Sequence, residues 1–124
     1  PRGKFKIGLL YWRKDRITKI ETKLKKKIIK KNMFWCNDVA SNKYNKEIYK
    51  NFKLKSERLF RKDHKYDSFI VIKYNHDKPI KNKGSAIFLH MTRDYKSTAG
   101  CIAVSKNDYF IISKLLNKKS FILI

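Results

Sequence analysis

The sequence predicts a mainly β protein with one clear helix over residues 105–117 and a long loop region. Three observations lead to this prediction. Short runs of β-branched and aromatic residues recur along the chain, as in SFIVI at residues 68–72. Only one segment has apolar residues at helical spacing behind a capping residue. The stretch from residue 34 to residue 61 follows neither the strand period nor the helix period. We expect residues 1–124 to form a single domain.

The first strands are predicted near the N-terminus. Residues 4–12 (KFKIGLLYW) are rich in strand formers, and residues 17–20 alternate apolar and polar side chains. The charged residues 13–16 between them are typical of a turn, so we expect a hairpin. Residues 22–33 fit either a further strand or a short basic helix, and the sequence leaves both open.

The stretch between Phe34 and Arg61 is predicted to be a long ordered loop region. Asparagines recur in it, and its aromatic side chains, among them Trp35 and Tyr44, are scattered without a period. Long connections of this kind in a compact domain are usually functional. We expect these aromatic residues to brace a loop beside a cleft, and simple packing anchors fit the pattern equally well.

Further strands are predicted in the second half of the chain. Residues 68–74 (SFIVIKY) have β-branched side chains at their centre, and residues 85–90 (SAIFLH) form another apolar run. Between them, residues 75–84 are polar and contain a proline and a glycine, which is typical of a turn. Residues 121–124 (FILI) are predicted to end the chain as a last short strand.

The predicted helix, residues 105–117, has a well-marked start. Ser105 can supply an N-cap oxygen, and Asp108 places a carboxylate in the first turn, where the helix dipole favours a negative charge. An apolar face follows at helical spacing. Its predicted members are Tyr109, Ile112, Leu115 and Leu116.

The net charge of +22 is the strongest signal in the composition. It suggests a polyanion partner, because cationic side chains gain free energy by releasing counterions from phosphate. Of the 32 basic residues, however, 26 are Lys and 6 are Arg, whereas sequence-specific readers of nucleic acid favour Arg. The densest run, Lys23–Lys31, is more often a solvated face. We expect no specific nucleic-acid partner, and a basic module that binds nucleic acid or an anionic polymer without catalysis is the rival hypothesis.

Membrane spans, disulfide scaffolds and metal sites find no support in the sequence. The longest apolar runs are far shorter than the roughly 18 residues that a membrane helix needs. Two cysteines, Cys36 and Cys101, are too few for a disulfide scaffold and too far apart for a Cys-x-x-Cys metal motif, so we expect no metal site. We expect no cofactor either. One disulfide between the two cysteines stays open.

His90 and Cys101 form the candidate catalytic pair. A thiol has a pKa of about 8.5, so it needs a nearby base to become a nucleophile at neutral pH, and imidazole is the usual supplier. Cys101 follows His90 by 11 positions, so a strand, a loop and a return strand could bring the two side chains together. Gly100 lets backbone amides approach a developing oxyanion closely. A packed, unreactive Cys101 also fits the spacing.

Two motifs make the chain resemble a known family. GSAIFLH at residues 84–90 and TAGCIA at residues 98–103 closely resemble the active-site region of L,D-transpeptidase (YkuD-type) catalytic domains, which are bacterial cell-wall enzymes. Shorter matches extend the likeness over nearly the whole chain and resemble a proteobacterial branch of the family. They include PRGKF at residues 1–5 and WCND at residues 35–38.

This resemblance implies a β-sandwich or barrel with a helix over it, and a cysteine acyltransferase as the activity. Cys101 would be the nucleophile and His90 the general base and acid, with the amides of Gly100 and Cys101 near the oxyanion. The resemblance also implies that His90 holds Cys101 as a thiolate. Supporting residues around the cleft would be Thr98, His64, Trp35 and Tyr44, although the charged segment around His64 is more typical of a surface histidine. The substrates would be peptidoglycan stem peptides, cross-linked or trimmed through a thioester, in the periplasm or cell envelope, and we expect a monomer.

The chain departs from the family pattern in three ways. Ala99 and Ala103 stand where many members have His and Arg, and the loop between His90 and Cys101 is shorter than usual. Substrate contacts are therefore lost or moved, and hydrolysis by an L,D-carboxypeptidase could replace cross-linking. A cysteine amidohydrolase with another substrate is the closer rival. The chain also starts at the PRGKF element, so we expect it to lack the strands that the family places earlier.

Overall fold

A computed structural model describes residues 2–49, 53–93 and 100–124 of the chain. Within these ranges, two β-sheets and one helix make up the regular structure, which confirms the mainly β prediction. The strands are β1 (Lys4–Trp12), β2 (Lys26–Ile28), β3 (Met33–Cys36), β4 (Lys46–Tyr49), β5 (Ser56–Arg58), β6 (Ser68–Ile72), β7 (Phe88–Met91), β8 (Ile102–Val104) and β9 (Phe121–Leu123). The helix α1 (Lys106–Leu115) lies between β8 and β9 in the chain.

The larger sheet has the strand order β2-β1-β6-β7-β8, and β9 also pairs with β1. A register irregularity between Ile7 and Leu10 divides β1, so that its first residues pair with β9 and its last residues with β2. The β1–β6 and β6–β7 pairs are antiparallel, whereas β7 and β8 run parallel. The smaller sheet, β4-β3-β5, is antiparallel throughout.

β6 is buried along its whole length because both faces of the larger sheet are covered. Its alternate side chains point to opposite faces and enter two different clusters. Ile70 and Ile72 lie in the cluster that includes Tyr109 of α1. Phe69 and Val71 lie in the cluster that includes Trp35 of the smaller sheet. The sheet is therefore the middle layer of the molecule, and a tight run of aromatic rings forms its second face.

The helix begins as predicted and ends two residues early. Ser105 is the N-cap, and its hydroxyl accepts a hydrogen bond from the Asp108 amide at 3.2 Å. The prediction of Leu115 on the buried face is wrong, since Leu115 is 71% exposed. At about 100° per residue, Leu115 lies about 120° around the helix from the fully buried Tyr109, whereas Ser113 lies close to it. Ser113 is buried there because its hydroxyl donates to the Tyr109 carbonyl.

The predicted hairpin of residues 4–12 and 17–20 is wrong. Residues 17–20 form no strand, although Ile20 is buried in the core. The position beside the end of β1 belongs instead to β2, which pairs with it in parallel. A parallel neighbour needs a longer connection than a tight turn, so the chain runs on before it pairs. This arrangement decides the open choice for residues 22–33 in favour of a strand.

The predicted loop region between Phe34 and Arg61 holds the smaller sheet. Its strands β3, β4 and β5 are three or four residues long. Runs that short contain at most two repeats of the strand period, so the alternation in the sequence is too weak to reveal them. The predicted strand at residues 85–90 also starts later, at Phe88, because Ala86 has a φ of +54° and interrupts extended backbone.

Candidate active site

Cys101 lies immediately before β8, at the edge of the cluster that contains Trp35, Phe69 and Phe88. Ile102 pairs with Leu89 of the parallel strand β7, so continuing the register sets Cys101 beside Phe88. The half-buried Cys101 side chain packs against the same cluster as Phe88. Its Sγ donates a hydrogen bond to the Ala86 carbonyl at 3.1 Å. Cys36 is a separate buried thiol in β3, which excludes the Cys36–Cys101 disulfide.

His90 is the buried histidine of β7, with 4% of its surface exposed. Its Nδ1 lies 2.9 Å from the Met91 carbonyl oxygen. Because a carbonyl oxygen only accepts hydrogen bonds, Nδ1 carries the proton of the neutral ring and Nε2 holds a lone pair. Nε2 is buried and has no hydrogen-bond partner among the residues that the structure describes. Leaving a buried polar atom unpaired costs free energy, so this atom calls for an explanation.

The structure sets the His90 and Cys101 side chains on the same face of the larger sheet. His90 and Phe88 are two residues apart in β7 and point to one face, where Cys101 also packs. The Tyr66 ring contacts His90 edge-on, with centroids 5.9 Å apart. The expected return strand is wrong, however, because β8 runs parallel to β7. The connection between β7 and β8 includes residues 94–99, which lie outside the described ranges.

Burial favours the neutral forms of the Cys101 thiol and the His90 imidazole. It is the main cause that raises the pKa of the Cys101 thiol, and the Glu57 carboxylate adds to this, while a hydrogen bond with the Phe88 backbone and the charge of Lys65 oppose it. Burial also lowers the pKa of His90, against the contact with Met91. The resting pair is therefore a thiol and a neutral imidazole, which corrects the expectation of a thiolate held by His90.

Tyr66 closes the site on the side of β5. Its hydroxyl donates to the Glu57 carboxylate, and its ring lies against both Phe88 and His90. Burial is the main cause that raises the pKa of Tyr66, with Glu57 adding to it. Tyr66 therefore stays a neutral phenol and gives His90 an apolar wall that limits access of water to the imidazole.

Asn45 was not predicted, yet it connects the smaller sheet to the carbonyl that Cys101 contacts. Its Oδ1 accepts from the Trp35 indole at 2.9 Å and from the Ala86 amide at 3.0 Å. Its Nδ2 donates to the backbone carbonyls of Tyr74 and Asn75. Ala86 is thus held in its left-handed conformation by a buried side chain distant in sequence. The available signal was an asparagine among turn-forming residues, a type that tolerates positive φ.

The other predicted site residues are dispersed. Trp35 is buried against Phe88, with ring centroids 5.1 Å apart. Tyr44 is buried in the turn before β4, but the contacts toward Ala86 come from its neighbour Asn45. The His64 side chain is 63% exposed and pairs with Asp67 on the surface. Gly100 has a φ of +101°, which favours glycine over residues with a Cβ. Thr98 lies outside the described residues.

The described ranges hold no group of three or more His, Cys, Asp or Glu side chains suited to a metal ion. They also contain no helix that is long and apolar enough to cross a membrane. In the basic run Lys23–Lys31, Leu24 and Ile29 are buried and Lys27 pairs with Glu47. Most lysines of the run are therefore exposed to solvent, and its central residues Lys26–Ile28 form the edge strand β2.

Comparison with known proteins gave one match. The family model of the L,D-transpeptidase catalytic domain (YkuD) matches residues 1–124, which is the whole of the given sequence. No curated protein and no solved structure matches the chain.

Proposed function

Because the chain belongs to the L,D-transpeptidase catalytic-domain family, we propose that it is a cysteine acyltransferase in which Cys101 is the nucleophile and His90 the general base. The family acts on peptidoglycan, and the proposed substrates are its stem peptides. One observation carries the proposal most directly. The Nε2 lone pair of His90 is buried, lacks a hydrogen-bond partner in the described part of the chain, and lies on the face where Cys101 packs.

In the first half of the reaction, Cys101 forms a thioester. The thiol leaves the Ala86 carbonyl and gives its proton to Nε2 of His90, while the Met91 carbonyl stabilises the imidazolium through Nδ1. The Sγ atom then bonds to the carbonyl carbon of the amide after the third stem residue. Backbone amides at Gly100 and Cys101 hold the resulting oxyanion. The C–N bond breaks, and His90 returns the proton to the departing amine of the terminal D-amino acid.

In the second half, an acceptor resolves the thioester. An amine from a second stem peptide gives a cross-link, and water gives a trimmed peptide, so the same pair serves both outcomes. In either case His90 takes a proton from the acceptor and gives it to the departing Cys101 sulfur. The proposed location is the periplasm or cell envelope, where members of the family are typically found. We also propose that the chain is a single domain, that it is a monomer, and that it belongs to the proteobacterial branch of the family.

The proposal is tested by acylation of the purified protein with a carbapenem, followed by intact-mass and peptide mass spectrometry. The expected result is one adduct on Cys101, absent in Cys101→Ala. His90→Ala should acylate about 10²- to 10⁴-fold more slowly, the usual contribution of general base catalysis. Cys36→Ala is the matched control, since Cys36 is fully buried in β3 and should not affect labelling.

Two outcomes would overturn the proposal. One is a folded wild-type protein that never labels. The other is labelling of Cys101→Ala at the wild-type rate. If instead the protein labels at Cys101 but leaves stem peptides intact, the nucleophile stands and the substrate assignment is replaced by another amide. Binding of a polyanion that is unaffected by Cys101→Ala, without labelling, would favour the rival basic module.

A further inference from the structure

An open cavity of about 440 Å³ has a strongly cationic lining. Apart from Phe60, every described residue that lines it is basic. These residues are Arg13, Arg16, Lys31, Arg58, Arg61 and Lys62. Four of the six arginines of the chain are thus gathered here, although the chain has 26 lysines. We call this feature the arginine cavity.

Two of these arginines make one wall of the cavity rigid. The Arg13 guanidinium is buried, stacks over the Phe60 ring with Cζ 3.5 Å from its centroid, and donates to the Arg61 carbonyl. Arg16 donates to the carbonyls of Lys62 and Asp63. Both guanidinium groups therefore hold the backbone that follows β5 against the turn that follows β1, and the wall exists before any ligand arrives.

The remaining cations are only partly neutralised. Arg61 holds Asp63 through two hydrogen bonds. Lys31, Arg58 and Lys62 have no carboxylate partner in the described ranges, and Arg58 instead stacks over Phe34 at 4.9 Å. Arg13 and Arg16 also pair with the Asp15 and Asp67 carboxylates, so the charge that can attract an anion belongs mainly to Lys31, Arg58 and Lys62.

Tyr66 connects the arginine cavity to the proposed catalytic pair. The Arg61 guanidinium lies over one side of the Tyr66 ring, 5.6 Å from its centroid. The same ring contacts His90. Arg61 is also close enough to His90 for its charge to lower the pKa of the imidazole. The arginine cavity and the proposed catalytic pair therefore border the same buried ring.

We propose that the arginine cavity binds a carboxylate of the acyl donor that is remote from the scissile amide. This assignment rests on the proposed function and adds the charge that the donor must carry. The planar guanidinium fork matches a carboxylate, and Arg13 and Arg61 already hold the Asp15 and Asp63 carboxylates in this way. A single cavity accommodates one anionic group, whereas a polymer would use an extended basic stripe.

The test compares two synthetic stem tetrapeptides. They differ only in having a glutamate or a glutamine directly before the third residue, whose carbonyl forms the thioester. Binding is measured by calorimetry on Cys101→Ala, which cannot turn the peptides over. The glutamate peptide should bind about tenfold more tightly, the usual contribution of a hydrogen bond to a charged group. Arg58→Gln and Lys62→Gln should each reduce this preference, and Arg58→Lys should retain part of it.

Turnover in the wild-type background gives a second reading. For the glutamate peptide, Arg58→Gln should raise KM about tenfold with little change in kcat, because the cavity contributes binding and not chemistry. The glutamine peptide should be indifferent to the same change. Lys118→Gln is the matched control, because it removes one exposed lysine from the turn between α1 and β9 and should leave both peptides unaffected.

The outcomes separate this assignment from the proposed function. Equal affinity for both peptides, with no effect of Arg58→Gln, overturns the cavity assignment even if Cys101 is acylated. A preference for glutamate that Arg58→Gln removes, in a protein that turns over neither peptide, supports the cavity and overturns the proposed activity. Loss of polyphosphate binding in Arg58→Gln without any glutamate preference overturns the assignment in favour of a polyanion site.

Discussion

Asn45 shows how one buried side chain can set the geometry of a distant thiol. Its amide joins Trp35 of the smaller sheet to the Ala86 amide, and the Ala86 carbonyl accepts the Cys101 hydrogen bond. Both Asn45 and Ala86 have positive φ, at +58° and +54°. The segment before β7 is therefore held in a costly backbone conformation by hydrogen bonds that only an amide can supply at both ends.

Asn45→Gly tests this role at the scale of one residue. Glycine tolerates the positive φ, so the change removes the amide without adding backbone strain. We expect a loss of about 1–3 kcal/mol in the free energy of unfolding, because the Trp35 indole and the Ala86 amide lose their acceptor. Acylation of Cys101 should slow as well. Urea denaturation and the carbapenem labelling rate provide the two measurements.

Asn82→Gly is the matched control for that prediction. Asn82 also has a positive φ, at +65°, but it is exposed in the turn before β7. The control should change stability by less than about 0.5 kcal/mol, as is usual for surface substitutions. If Asn45→Gly were as mild as Asn82→Gly, the bracing role of Asn45 would be refuted.

At the scale of elements, β8 and α1 form one continuous unit beside the site. β8 is only three residues long, and the N-cap of α1 follows it directly. Tyr109 in the helix also bonds to Ser68 of β6, at 2.6 Å between the two hydroxyl oxygens. The start of the helix therefore anchors the strand that follows Cys101 to the centre of the larger sheet.

Ser105→Ala removes the N-cap hydroxyl of this unit. We expect a loss of about 1 kcal/mol in stability, since the Asp108 amide loses its acceptor. Ser105→Asp should restore most of the loss, because a carboxylate can both cap the amide and interact favourably with the helix dipole. Guanidinium denaturation followed by circular dichroism measures both variants. Equal stability of the Ala and Asp variants would contradict this account of the helix start.

At the scale of the whole molecule, stability should depend on pH through the buried imidazole. The pKa of His90 in the folded chain is lowered from the ordinary value of 6.5, mainly by burial. Below about pH 6.5 the unfolded chain binds a proton that the folded chain resists. Acidification therefore shifts the equilibrium toward the unfolded chain, and this loss continues until the pH falls below the folded pKa.

His90→Gln should reduce the dependence of folding stability on pH. We expect the wild-type Tm to fall between pH 7.5 and pH 5.5, and the fall to be smaller in His90→Gln, measured by scanning calorimetry. His64→Gln is the control, because the His64 side chain is mostly exposed and should leave the wild-type dependence in place. An equal fall of Tm in His90→Gln and wild type would show that another group governs the acid side.

Much of the large sheet could be predicted because its central strands have strong local signals. β1 matches its predicted bounds, and β6 and β9 lie within theirs, since their β-branched and aromatic residues favour extended backbone in any context. The start of α1 was also predictable, because an N-cap is a local feature. The smaller sheet was missed, since its short strands gain their stability from pairing with each other and from burial against Phe69 and Phe88.

The sequence by itself determined the mainly β composition, the central strands, the start of the helix and the candidacy of Cys101 and His90. The first three follow from residue type and short-range spacing, and the last also rests on the resemblance of two motifs to a known family. Only the tertiary structure decided the parallel pairing of β7 with β8, the bracing by Asn45, the neutral resting pair and the arginine cavity. These features depend on side chains that are ten or more positions apart along the chain, and on how far packing excludes water from them. Local patterns contain neither quantity, because burial and long-range contacts exist only once the sheets have packed together.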